Sequence, residues 1–261
     1  MPLSRPVSTR LLACAAVLAT AGLAACSDSA AETQPPPADR AEIEAIVRDY
    51  ILANPEIVQQ ALVELDRRQQ DAAAAERNAQ VAANAELLFH SAHQVVLGNP
   101  DGPITLVEFF DYNCVYCEGA LPDLLALMDA NPDLRVVLKE FPILGAGSVE
   151  AAQVAIAFNE LAPERYLDFH RALLLTEGQV GRERAIAVAA GLGVATADIE
   201  AHLADPIVED TISEVYGLAT ALGLTGTPTY VVGGEVVMGA VGREALAARI
   251  EAVREGETAA L

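Results

Sequence analysis

The tetrapeptide Cys114-Val115-Tyr116-Cys117 constrains this chain more than any other feature, because of where it stands. It follows a strand-like run, Ile104 to Phe110, and precedes an apolar helical pattern over 118–130. A strand ending in a tight turn delivers Cys114 to the first turn of a helix, where unbonded backbone N–H groups and the positive end of the helix dipole stabilise a thiolate. The thiolate is the species that attacks disulfides, so the arrangement reads as a redox-active dithiol. Taken alone, the spacing serves a metal equally well, with Cys114 and Cys117 holding Cu(I) as a two-thiolate pair.

Two more cysteines, Cys14 and Cys26, lie near the start. Residues 1–25 carry Arg5 and Arg10, then an apolar stretch from Leu11 to Ala25, and no acidic residue, which is the composition of an export signal. The stretch is short and rich in alanine for a membrane span. Its end, Leu23-Ala24-Ala25-Cys26, resembles the lipobox of bacterial lipoproteins, which implies cleavage before Cys26 and lipidation of that residue. Ordinary cleavage near Ala25 is the competing expectation and leaves a free thiol. Ser27 after Cys26 resembles signals for release to an outer membrane. Residues 26–40, with Pro35-Pro36-Pro37, read as a flexible tether. Removal of residues 1–25 leaves 14 basic against 37 acidic side chains, or −23, which argues against nucleic acid as a partner. In an oxidising compartment the remaining thiol pair is a disulfide or a reagent for making one.

Residues 41–90 form an N-terminal helical arm by pattern. Ile43, Ile46, Val47, Tyr50 and Ile51 recur at helical spacing. Asn54-Pro55 restarts a helix with Asn54 as its N-cap, and this second helix is expected to run to about Leu88. Its apolar stripe is narrow, so the arm suits self-association, the part of a solvated spacer, or a helix folded back on the domain. The domain proper, 91–261, opens on the turn cluster 97–103, before the first strong strand. Leu134 to Lys139 reads as the next strand. Residues 148–222 hold helical segments only, and the strands Thr229–Val232 and Glu235–Met238 form a hairpin about Gly233-Gly234, before a closing helix over 243–254. His90, His93, His170 and His202 show no spacing with the cysteines and read as surface or capping residues.

The order strand, Cys-helix, strand, helical block, hairpin, helix is an α/β plan, the thioredoxin fold with a large helical insertion. Three blocks in this order, Glu108 to Cys117, Lys139 to Gly145, and Gly226-Thr227-Pro228-Thr229, resemble the DsbA family of exported thiol-disulfide oxidoreductases, ScsC-like branch. That resemblance implies Cys114 as the exposed nucleophile, Cys117 as the buried resolving thiol, Pro228 as a cis-proline beside them, and Thr227, Val115 and Tyr116 as substrate contacts. It places an acid at Glu108, as a proton carrier for Cys117; the competing expectation turns Glu108 to a wet crevice, paired with Lys139. Asp111 and Glu118 are expected to disfavour the thiolate, and no His stands between the cysteines to stabilise it, which points to a less oxidising pair than one with His in the dipeptide. Unfolded or misoxidised exported proteins and a membrane redox partner are the implied partners, in the periplasm or cell envelope, with no cofactor. A copper-binding module and a non-catalytic envelope scaffold are the competing functions.

Overall fold

The computed structural model describes residues 39–256, so the expectations for the leader, Cys14, Cys26 and most of the tether lie outside the described residues. The chain divides into two units, the first ending at Val58. In the first, α1 (Arg40–Ala53) starts at Asp39, whose carboxylate accepts from the Ala41 N–H. Asn54 does not cap the following helix. It closes α1 instead, its side chain donating to the Tyr50 carbonyl at 2.8 Å. The cause is Pro55, which lacks an N–H and disfavours helical geometry in the residue before it. Ile43, Ile46, Val47, Tyr50 and Ile51 stay 37–61% exposed, so the apolar face of α1 is unfilled within one chain.

The second unit contains most of α2 (Glu56–Ala83) and α3 (Ala85–Phe89). The single helix expected to reach Leu88 is broken at Asn84, whose side chain turns back to the Gln80 carbonyl. Beyond the break Leu88 and Phe89 join Val81 in the core, so the last turns of the expected arm belong to the domain. A sheet of order β1-β3-β2-β4-β5 follows, built from β1 (Val95–Gly98), β2 (Ile104–Phe110), β3 (Leu134–Glu140), β4 (Thr229–Val232) and β5 (Glu235–Met238). Only β2 and β3 are parallel, joined by the crossover helix α4 (Val115–Ala130). The edge strand β1 occupies part of what the sequence suggests is a turn cluster. The block between β3 and β4 is helical throughout: α5 (Ala146–Leu161), a 3-10 turn at Pro163–Arg165, α6 (Tyr166–Leu174), α7 (Arg182–Gly191), α8 (Thr196–His202) and α9 (Pro206–Ala221). The closing helix is α10 (Arg243–Arg254).

Strand alternation separates two apolar layers. Leu106, Phe110, Leu134, Val136, Leu138, Tyr230 and Val232 face the layer that contains Cys117. Val107, Phe109, Val137 and Val231 face α3 and α9. The parallel register sets Lys139 opposite Phe109 and Glu108 opposite Leu138, which sends Lys139 and Glu108 to different layers. Lys139 is fully buried and donates to the Leu87 carbonyl at 2.7 Å and to Glu214 of α9 at 3.1 Å. The pairing of Glu108 with Lys139 is thereby ruled out by register alone.

Candidate functional site

The dithiol sits where β2 hands over to α4. Cys114 is the residue that caps α4, and the Cys117 and Glu118 N–H groups bond its carbonyl. Both cysteines are free thiols and both are buried: Cys117 is 1% exposed, and Cys114, expected to stand exposed, is only 7% exposed where it meets the mouth of a groove, because the Thr227–Pro228 loop covers its sulfur. The Thr227–Pro228 peptide is cis, and the Cys114 thiol donates to the Thr227 carbonyl across 3.2 Å. Val115 and Tyr116, 69% and 67% exposed, stand beside it as an apolar ridge. The loop 227–228 and the ridge therefore meet at one sulfur, although Cys114 and Thr227 are 113 positions apart in sequence.

Electrostatics separate the two thiols. Cys114 is lowered to about 5, chiefly by contact with the Cys117 thiol and also by Thr227 and the backbone N–H groups of Cys117 and Tyr116, against an opposing effect of burial. Cys117 is driven well above the ordinary thiol range by Cys114, by burial and by nearby Glu108. At neutral pH this leaves a thiolate that is itself buried, at the mouth of a groove, backed by a protonated thiol. The expectation that Asp111 and Glu118 hold Cys114 up is not met. The Asp111 carboxylate is turned away, accepting from the N–H groups of Asn113, Ile143 and Leu144 at 2.8, 2.8 and 2.9 Å.

Glu108 is 4% exposed and lies on the same layer as Cys117, opposite Tyr230 in the β2–β4 register. Burial raises it to about 8, partly offset by Tyr230 and reinforced by Cys114. One of its oxygens has no hydrogen-bond partner. A second buried acid, Glu140, also sits near 8 through burial; it accepts from the Tyr166 hydroxyl at 2.6 Å. Tyr166 continues to Tyr112 at 3.0 Å and Tyr112 to His170 Nδ1 at 3.3 Å. His170 is thus no surface residue: it is 1% exposed and pushed down to about 3 by burial. Among the described residues no group of three or more His, Cys, Asp or Glu is placed to hold a metal ion.

Asn113 is a site residue that sequence reasoning passed over. Its side chain accepts from the Val180 N–H at 2.7 Å and donates to the Val180 carbonyl at 2.9 Å and to Ser148 at 3.0 Å. It thereby fastens the loop between α6 and α7 to the residue before Cys114. A polar Asp-Tyr-Asn run before the first cysteine was the available signal, since such residues bond backbone groups in turns. Asn113→Ala strands both Val180 backbone groups and is expected to destabilise the protein by about 2–3 kcal/mol. Amide exchange at Val180 faster than in the parent, with β-sheet protection retained, is the result that checks it.

Comparison with known proteins agrees with this geometry. The DSBA-like thioredoxin domain family matches residues 105–251, and the copper resistance protein ScsC N-terminal domain family matches residues 39–72. A thioredoxin-like oxidoreductase from Silicibacter pomeroyi is similar at 37% identity, over 66% of this chain and 98% of that one, with a TM-score of 0.63. A Proteus mirabilis ScsC variant with a linker deletion aligns over 85% of this chain and 100% of its own at 25% identity and a TM-score of 0.66. Among curated relatives, the Na(+)/H(+) antiporter NhaA of Herminiimonas arsenicoxydans is 32% identical over 167 residues, 62% of this chain and 26% of the antiporter. The chain spans about a quarter of the length of the curated relatives it matches. No helix among the described residues is long and apolar enough to cross a membrane.

Proposed function

Because the chain belongs to the DSBA-like thioredoxin domain family, we propose that it is an envelope thiol-disulfide oxidoreductase acting on exported proteins through Cys114 and Cys117. The observation that carries this reading is the Cys114 sulfur at the start of α4, 3.2 Å from the Thr227 carbonyl, with Cys117 buried one turn behind. Cys114 thiolate attacks a substrate disulfide, forming a Cys114–substrate bond while the other substrate sulfur leaves as a thiolate. Cys117 then attacks Cys114, releasing the substrate reduced and closing the Cys114–Cys117 disulfide. Run in reverse, the same exchange oxidises a substrate dithiol.

In this reading the fraction of Glu108 that is ionised takes the proton that Cys117 must lose before it attacks, a minority at neutral pH that grows toward pH 8, because Glu108 is a buried acid on the same layer as Cys117 with an unpartnered oxygen. Thr227 and Pro228 hold the substrate backbone as an added strand, with Val115 and Tyr116 against its side chains. A lipid anchor on Cys26, a signal peptide over 1–25 and an outer-membrane address remain part of the proposal, as does a membrane redox partner.

The exposed stripe on α1 gives isomerase activity a structural route. Self-association through 41–90, the segment that overlaps the ScsC N-terminal match, sets several dithiols about one space. Isomerisation draws on a reduced Cys114 that attacks wrong disulfides repeatedly, which clustered sites favour. The test is recovery of scrambled ribonuclease by the mature chain and by a variant lacking residues 39–72, each weighed by ultracentrifugation. We expect an oligomer and a several-fold faster recovery for the longer form. Equal unscrambling by a monomeric parent removes the arm and self-association from the isomerase part, and oxidation of reduced substrate by both with no unscrambling indicates a plain disulfide donor.

A further inference from the structure

Exchange chemistry leaves one surface beside the nucleophile unassigned. A groove of about 590 Å³ opens on Cys114, walled by Val115 and Glu118 of α4 on one side and by Leu175, Glu177 and Gln179 after α6 on the other. Leu175 and Leu144 are 57% and 49% exposed there. Apolar side chains standing in water around a reactive sulfur mark an interaction surface. The smaller groove of about 250 Å³ across the Val115-Tyr116 ridge does not reach Cys114.

The lining charge of the wide groove is acidic, carried by Glu118 and Glu177, and the cation at its rim, Arg184, directs its guanidinium to the Glu177 backbone carbonyl and not to its carboxylate. Neither carboxylate belongs to an ion pair among the described residues, whereas Asp133, Asp168, Glu235 and Glu251 each have an arginine. By contrast Asp123, the acid of the smaller groove, is engaged by the Arg243 N–H. The geometry of exchange puts substrate here: the three sulfurs line up during attack, so chain on both sides of the attacked cysteine must cross the surface next to Cys114.

We propose that this groove holds the substrate segment flanking the attacked cysteine, and that Glu118 and Glu177 select segments carrying Lys or Arg beside an apolar residue. The proposal rests on the exchange reading above. Leu175, Leu144 and Val115 take the apolar side chain, and the two carboxylates take the cation, a pairing that speeds encounter and fixes register more than it adds affinity.

Two disulfide-linked peptides, identical except for Lys or Glu flanking the cysteine, test it with the reduced full-length protein. Lysine flanks also make the departing sulfur a better leaving group, so each peptide is run against free glutathione to give the intrinsic ratio of rates. In 20 mM salt the protein is expected to prefer the Lys peptide in kcat/KM by about tenfold beyond that ratio, and E118K and E177K each to lower the preference about threefold. High salt should compress it most in the parent and less in either variant, which keeps one of the two carboxylates. Because E118K also touches the helix that carries Cys114, the readout is the ratio between peptides, never the absolute rate. A preference no larger than the intrinsic ratio, or one unchanged in E177K, overturns the proposal. Failure to exchange with either peptide overturns the oxidoreductase reading and this one with it.

Discussion

Cys117→Ala is expected to turn the protein from a catalyst into a stoichiometric trap. Cys114 remains able to attack, forming its bond to substrate sulfur, but no second thiol lies one helical turn away to break it. Steady-state turnover should fall on the order of 10³-fold or more. The protein should accumulate as a species heavier by one substrate chain and revert on addition of dithiothreitol. A second consequence is less obvious. Contact with the Cys117 thiol is the largest cause of the lowered Cys114 value, so its loss raises Cys114 and moves the pH dependence of trapping upward. Cys117→Ser keeps a hydroxyl donor there and should trap at lower pH than Cys117→Ala. Cys114→Ala should form no adduct at any pH. Multiple turnovers by Cys117→Ala, measured by mass spectrometry and product release, would remove the mechanism.

The parts of this site legible in the sequence are those whose physics is local. Cys114 and Cys117 were placed by a strand, a turn and a helix within fifteen residues, and the hairpin by Gly233-Gly234, both of which take positive φ. Long-range partnerships were not legible. The chain Glu140, Tyr166, Tyr112 and His170 joins residues 26 to 58 positions apart, and no periodicity announces it. The Glu108–Lys139 pairing looked natural on adjacent strands, but parallel register decides faces and sequence spacing does not. β1 is four residues long and runs into Gly98, Asn99 and Pro100, so turn chemistry hid its strand character. The end of the arm was misread because α2 is alanine-rich, and Val81, its buried residue, carries too weak a signal alone.

Lowering pH from 8.5 to 6.5 is expected to stabilise the oxidised protein, with Glu108 and Glu140 as the reason. Each sits near 8 when folded, against an ordinary 4.5, with burial as the first cause in both. Below 4.5 both states carry the proton and nothing is lost. Between 4.5 and about 8 the unfolded chain gives up protons that the folded chain keeps, so stability declines as pH rises, and above 8 the full cost of burying two carboxylates is present. The decline from pH 6.5 to 8.5 comes to about 2 kcal/mol for Glu140, and to somewhat less for Glu108 in the disulfide form, where the raising effect of the Cys114 thiolate is gone. Two other groups oppose it. His170, held near 3 by burial, makes stability rise with pH up to its ordinary 6.5, which is why the window begins there. Cys114 at about 5 against an ordinary 9 makes stability rise with pH across the whole window, but only while it is a thiol, which is why the disulfide form is chosen. Urea midpoints across the window should therefore fall steeply for the oxidised parent and less for the reduced one. Glu108→Gln and Glu140→Gln should each remove about half of the oxidised slope. The two acids then part company: Cys114 is among the causes acting on Glu108 and not among those acting on Glu140, so the Glu108 share alone should depend on redox state. If Glu108 also carries the Cys117 proton, Glu108→Gln flattens the pH profile of mixed-disulfide resolution while Glu140→Gln leaves it in place. A slope unchanged in both variants would place the pH dependence elsewhere in the molecule and leave Glu108 without the proton affinity its catalytic part requires.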